Sequence, residues 1–117
     1  MQDTTLYGFN SCDMVRNARK WLAANDVEHS FFDYRKEQLD PKVLDSWFKR
    51  AGWETVFNRN SASFKELPEA RKAKLDEKAA RALILEDTNM IKRPVLDVGG
   101  KLLFGFKADA YALALGK

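Results

Sequence analysis

The chain has 117 residues, 45% of them hydrophobic and 32% charged, which suits one domain with a real core. No apolar run approaches a membrane span, and no basic-then-apolar signal segment opens the chain, so a cytoplasmic protein is expected. A single cysteine excludes an internal disulfide, and a net charge of +3 favours an anionic small molecule over nucleic acid as a partner.

Thr4 to Phe9 is β-branched and aromatic and reads as a strand. Asn10 and Ser11 supply the small polar residues of a tight loop, and a helix opens at Cys12. Met14, Ala18, Trp21 and Leu22 recur on one helical face, while Cys12, Arg16 and Arg19 share another. A lone cysteine is commonly a small buried hydrophobe. This one stands at the positive end of a helix dipole, after a strand, with two arginines along the same face. Those conditions favour a reactive thiolate, with Asp13 working against them. A loop at the carboxyl end of a strand in an open α/β sheet is also where ligands bind.

Asn25-Asp26 stops the helix, and Val27 to Tyr34 reads as a second strand with apolar residues on both faces, as in a sheet buried on both sides. Strand, helix and strand at this spacing predict a right-handed βαβ unit with parallel strands. His29 has no partner histidine and reads as a structural or surface residue, and no metal is expected. Asp40-Pro41 is a helix start, followed by Leu44, Trp47, Phe48 and Ala51 at helical spacing and a stop at Gly52. Trp53 to Phe57 predicts a short helix that closes at Asn58-Arg59-Asn60-Ser61. Pro68 to Leu75 and Asp76 to Glu86 predict two more helices with charges of mixed sign on a solvated face. Pro94 to Val98 is a strand, Gly99-Gly100 a hairpin turn, Leu102 to Phe106 the returning strand, and Ala108 to Leu115 a closing helix.

The order β-α-β, helical block, β-β-α predicts an α/β protein with a four-stranded mixed sheet, the outline of a thioredoxin-like fold. It would form a single domain over residues 1–117. The thioredoxin-like halves fall at about 1–38 and 90–117, with a helical insert at about 40–89.

These residues closely resemble the ArsC/Spx family, nearest its YffB-like branch of glutathione-dependent thiol reductases. The resemblance rests on Tyr7-Gly8 with Asn10, Cys12-Asp13, Arg16, Ala18-Arg19 with Trp21-Leu22, and Asp33-Tyr34-Arg35-Lys36. It continues through Gly52-Trp53-Glu54, Ile91-Lys92-Arg93-Pro94 and Gly105-Phe106. It implies that Cys12 is the nucleophile, and that Asn10, Arg16, Arg59, Arg93 and Pro94 line a substrate or glutathione site. Pro94 stands at the family's cis-proline. Arg59 is the nearest counterpart of a loop arginine, with Asn60 the other position for it. Arsenate reductases have a third arginine where this chain has Phe106, which weakens the case for arsenate.

Val15 occupies the third position after Cys12, so no resolving thiol follows and an outside thiol is needed. Glutathione, a co-substrate and not a bound cofactor, suits an arginine-lined cleft through its two carboxylates. The leading expectation is therefore a cytoplasmic monothiol oxidoreductase, monomeric, with no nucleic-acid or membrane partner. The alternatives are an Spx-like regulator docking on a protein such as RNA polymerase, and a glutathione-coupled arsenate reductase.

Overall fold

In the computed structural model, which describes residues 3–117, the order of elements begins with β1 (Thr4–Gly8), α1 (Asp13–Ala24) and β2 (Ser30–Asp33). The helices α2 (Pro41–Ala51), α3 (Trp53–Val56), α4 (Ala62–Lys65), α5 (Glu69–Ala73) and α6 (Glu77–Glu86) follow, with a 3-10 turn at Thr88–Met90. The chain then forms β3 (Val95–Val98), β4 (Lys101–Phe104) and α7 (Ala108–Leu115). Met1 and Gln2, within the expected first half, lie outside the described residues. Two compact units result: residues up to Gln38 together with Arg93–Lys117, and Leu39–Lys92.

The first unit carries the sheet, in the order β2-β1-β3-β4. β1 pairs with β2 in parallel, Leu6 opposite Phe31, and with β3 antiparallel, Leu6 opposite Leu96. β3 and β4 form the expected hairpin, its turn made by Gly99 and Gly100, both at positive φ. This mixed sheet is thioredoxin-like. β1 alternates buried Thr4, Leu6 and Gly8 with half-buried Thr5 and Tyr7, as a pleated strand with one better-covered face must. Leu6, Leu96 and Val98 of the sheet meet Val15, Ala18 and Leu22 of α1 and Tyr111 of α7 in one cluster. Burial of each such side chain contributes about 1.5–3 kcal/mol. Trp21 and Phe106 stack edge-on against Tyr111, with centroids 5.8 and 4.9 Å away. The Tyr111 hydroxyl donates to the Gly105 carbonyl at 3.0 Å.

Gly8 sets how closely α1 lies on β1. A Cβ there would stand 2.7 Å from Val15 Cγ2, inside any ordinary carbon contact. The helix therefore buries Val15, and Met14, expected on the inward face, is 45% exposed. Ala18 and Leu22 of that face are buried as expected, and Val15 takes the place of Met14 because Gly8 leaves room for its branched side chain. β2 is also shorter than Val27 to Tyr34, and it is an edge strand with no fully buried residue. Its apolar content on both faces reflects half-buried Phe31 and Phe32, the latter packed against Tyr7 at 5.6 Å.

The second unit is helical. Asp40 caps α2 by accepting from the Lys42 N–H at 2.9 Å, and Asp76 caps α6 by accepting from the Ala79 N–H at 2.8 Å. Leu44, Trp47 and Phe48 of α2 and Ala80, Leu83 and Ile84 of α6 are buried. Arg81 donates to both carboxylate oxygens of Asp45, at 2.6 and 3.3 Å. Ser61, expected to close a helix, instead opens α4 by accepting from the Phe64 N–H at 3.2 Å. Pro68 to Leu75 shortens to α5, whose five residues bury no side chain.

Candidate active site around Cys12

β1 ends at Gly8, and the turn Phe9-Asn10-Ser11 is closed by the Cys12 N–H donating to the Phe9 carbonyl at 3.1 Å. Cys12 then takes the N-cap of α1 with extended backbone. Its carbonyl accepts the first helical hydrogen bond, from the Arg16 N–H at 3.0 Å. Cys12 is half-buried, and its side chain makes no capping hydrogen bond. Its charged form is another matter. Burial pushes the Cys12 thiol up, but three donors together outweigh it. They are the Val15 N–H, the Arg93 guanidinium and the Met14 N–H, and they hold the thiol below its ordinary value. Val15 and Met14 are the two positions whose amides a helix cap normally engages, so the helix end is a built-in thiolate site.

Arg93 reaches the sulfur from the loop before β3. Its bond to Pro94 is cis, and Pro94 is buried. The guanidinium lies 4.6 Å over the ring of Phe9 and hydrogen-bonds Cys12. Thus residues eighty-one positions apart share one site. β1 and β3 are neighbours in the sheet, so the loops at their adjoining ends are neighbours too.

Arg16 and Arg19, the two arginines expected to act on the thiol, are turned elsewhere. Arg16 ion-pairs with Asp13 and donates to the Asn10 carbonyl at 3.2 Å. Arg19 donates to Asn10 Oδ1 at 2.7 Å and stacks over Phe31 at 4.2 Å. Asn10 is therefore the hub that positions two arginines beside the loop, and the pairing of Asp13 blunts its opposition to the thiolate. Arg59 belongs to the helical unit, where its guanidinium lies 5.7 Å over the Trp53 ring. Among the described residues no cluster of histidine, cysteine, aspartate or glutamate is placed to hold a metal ion.

Three further residues stand at the site; the resemblance includes them but implies no site role for them. Arg35 stacks over Phe9 at 3.6 Å and donates to Ser11 Oγ at 3.4 Å. Asp33 joins two loops, its oxygens accepting from the Arg35 N–H at 2.9 Å and the Asn10 N–H at 3.3 Å. Tyr34 is 5% exposed, packs edge-on to Phe9 at 5.9 Å, and its hydroxyl has no hydrogen-bond partner. Burial pushes its phenol up, and the Arg93 charge opposes this. The signal for all three was available. They lie at the end of β2 and in the turn after it, and β2 lies parallel to β1, so that turn emerges beside the cysteine loop.

A family model described as the ArsC family matches residues 7–114. A solved structure of a protein named YFFB is 47% identical, with a TM-score of 0.90, covering 96% of this chain and 98% of that one. An arsenate reductase (ArsC) related protein from Brucella melitensis is 39% identical, with a TM-score of 0.78, covering 98% and 96%. A curated protein of Haemophilus influenzae is 37% identical over 110 residues, 94% of this chain and 96% of its own.

Proposed function

From the premise that the chain belongs to the ArsC family, we propose that it is a thiol reductase of the monothiol kind, with Cys12 as nucleophile and glutathione as co-substrate. The observation that carries this reading is the Cys12 sulfur at the N-cap of α1, where the Val15 and Met14 amides and the Arg93 guanidinium favour its charged form. That environment favours the attacking thiolate at neutral pH.

The reaction has two exchanges. The Cys12 thiolate attacks the glutathione sulfur of a mixed disulfide, the substrate S–S bond breaks, and the released thiolate takes a proton from water. A glutathione thiolate then attacks the Cys12–glutathione disulfide, which frees Cys12 and leaves oxidised glutathione. The net change is one thiol–disulfide exchange: the substrate's own sulfur leaves as a thiol, and one incoming glutathione thiol is oxidised as it joins the glutathione of the mixed disulfide. The second thiol comes from outside because Cys12 is the single cysteine. Three residues along, Val15 is fully buried in the core.

Arg93 steadies the thiolate in this scheme and takes a ligand oxygen once the sulfur has lost its charge, a role its planar fork suits. Asn10, Arg16 and Pro94 shape the wall of the same cleft. The protein acts as a cytoplasmic monomer on a small thiol or oxyanion substrate. Turnover of a glutathione mixed disulfide, followed by the production of oxidised glutathione, tests this. Turnover that vanishes in Cys12→Ser is expected. Failure of the purified protein either to turn over such a disulfide or to bind glutathione overturns the reading.

A further inference from the structure

The cysteine loop and the turn after β2 enclose an open cleft of about 490 Å³, lined by Phe9, Asn10, Ser11, Arg16, Asp33, Arg35 and Lys36. Three of those residues are cations and one is a carboxylate. Asp33 already serves as acceptor for two backbone N–H groups, which fix the loops to one another. The Arg35 guanidinium carbon lies 3.6 Å over the centroid of the Phe9 ring, a contact that restrains its donor fork and reduces the entropy lost when it binds an anion. Arg35 Nη1 reaches Ser11 Oγ at 3.4 Å, and Ser11 is the residue next to Cys12. We propose that Arg35, with Lys36 and Ser11, forms an anion subsite separate from the Arg93 contact at the sulfur. Its ligand is the carboxylate one residue beyond the disulfide-bonded cysteine of a peptide substrate.

The dimensions fit this ligand. The Arg35 guanidinium contacts the side chain of Ser11, the residue before Cys12, and consecutive Cα atoms are about 3.8 Å apart. In a cysteinyl peptide the carboxylate of the next residue lies about one residue's reach from the cysteine backbone. A disulfide between the two cysteines therefore carries that carboxylate past Ser11 toward Arg35. Arg93 acts at the sulfur, so this carboxylate, one residue further along the ligand, falls to Arg35 beside Ser11. In glutathione the group concerned is the glycine carboxylate, and this assignment rests on the glutathione reading above.

The test compares two small disulfides that need no glutathione: 5,5′-dithiobis(2-nitrobenzoate), a dicarboxylate, and neutral 4,4′-dithiodipyridine. With each, the Cys12 thiolate attacks one sulfur, forms a mixed disulfide and releases a coloured aromatic thiolate or thione. The ratio of the two rates cancels changes in thiolate fraction. Arg35→Gln/Lys36→Gln should lower the ratio of dicarboxylate to neutral rate about tenfold, the loss expected for one charge-assisted contact. Salt should lower the wild-type ratio in the same direction. A second arm titrates the protein with glutathione and with its glycine ethyl ester. Wild type should favour the acid about tenfold, and the double variant should show no preference. If the rate ratio does not move, the subsite is wrong, whatever the glutathione titration gives. If the ratio falls but wild type binds no glutathione, the subsite stands and the glutathione reading fails.

Discussion

Gly8→Ala tests whether the contact of α1 with β1 sets the thiol's environment. The new Cβ would stand 2.7 Å from Val15 Cγ2 and 3.2 Å from Cγ1. Carbon atoms rest at about 3.5–4.0 Å, so helix and strand must part by about 1 Å. Overpacking of this kind costs about 1–3 kcal/mol, a fall in Tm of roughly 3–18 °C for a chain of this size. The same retreat moves the Val15 N–H, the leading donor to the Cys12 thiolate, so alkylation of Cys12 at neutral pH should slow. Val15→Ala removes both clashing methyl groups at the cost of a cavity. In Gly8→Ala/Val15→Ala the two costs should therefore fall short of their sum by about 1 kcal/mol or more. Urea unfolding of the four proteins gives the coupling. Additivity to within about 0.5 kcal/mol would refute the steric account.

Tyr34→Phe removes a buried hydroxyl with no hydrogen-bond partner, and stability should hold or rise by up to about 1 kcal/mol. A loss of more than about 1 kcal/mol in thermal melts would mean that the hydroxyl is bonded. Asp33→Ala strips the acceptor from the Asn10 and Arg35 amides. It should cost about 1 kcal/mol in urea unfolding, and wild-type stability in that variant would show that the carboxylate does not fasten the loops. Arsenate reduction coupled to glutathione and a glutaredoxin should be weak or absent. The position expected to hold a third arginine is Phe106, packed 4.9 Å from Tyr111, and robust turnover would show that another cation replaces it.

Much of the fold was legible because its signals are local. Asp40-Pro41 and Asp76 name their own helix starts, Gly99-Gly100 names a hairpin, and the run from Thr4 names a strand. The elements that were displaced lack such markers. Met14 and Val15 exchange places because Gly8, six residues earlier, admits the branched side chain. Ser61 closes one turn and opens the next, and polar residues serve both tasks. At the site, the cysteine at a helix start could be read from its neighbours in sequence. Its partners could not. Arg16 and Arg19 share the thiol's helical face, yet Asn10 draws both away. Arg35 and Tyr34 arrive by sheet pairing, and Phe9 collects Arg35 and Arg93 over its ring. Periodicity within one helix reports none of this.

The alkylation rate of Cys12 measured against pH, in wild type and in Arg93→Ala, tests the central claim most directly. The thiol is neutral when protonated, and the fold favours its charged form. The wild-type midpoint should therefore lie below the value of about 8.5 for free cysteine, and Arg93→Ala should move it up. The sign carries over to stability. Relative to Cys12→Ser, the thiolate's contribution is fully present above the unfolded value and is lost as pH falls through the folded one. A wild-type midpoint at or above the free value would contradict the account, as would a midpoint that Arg93→Ala leaves unmoved in a folded protein.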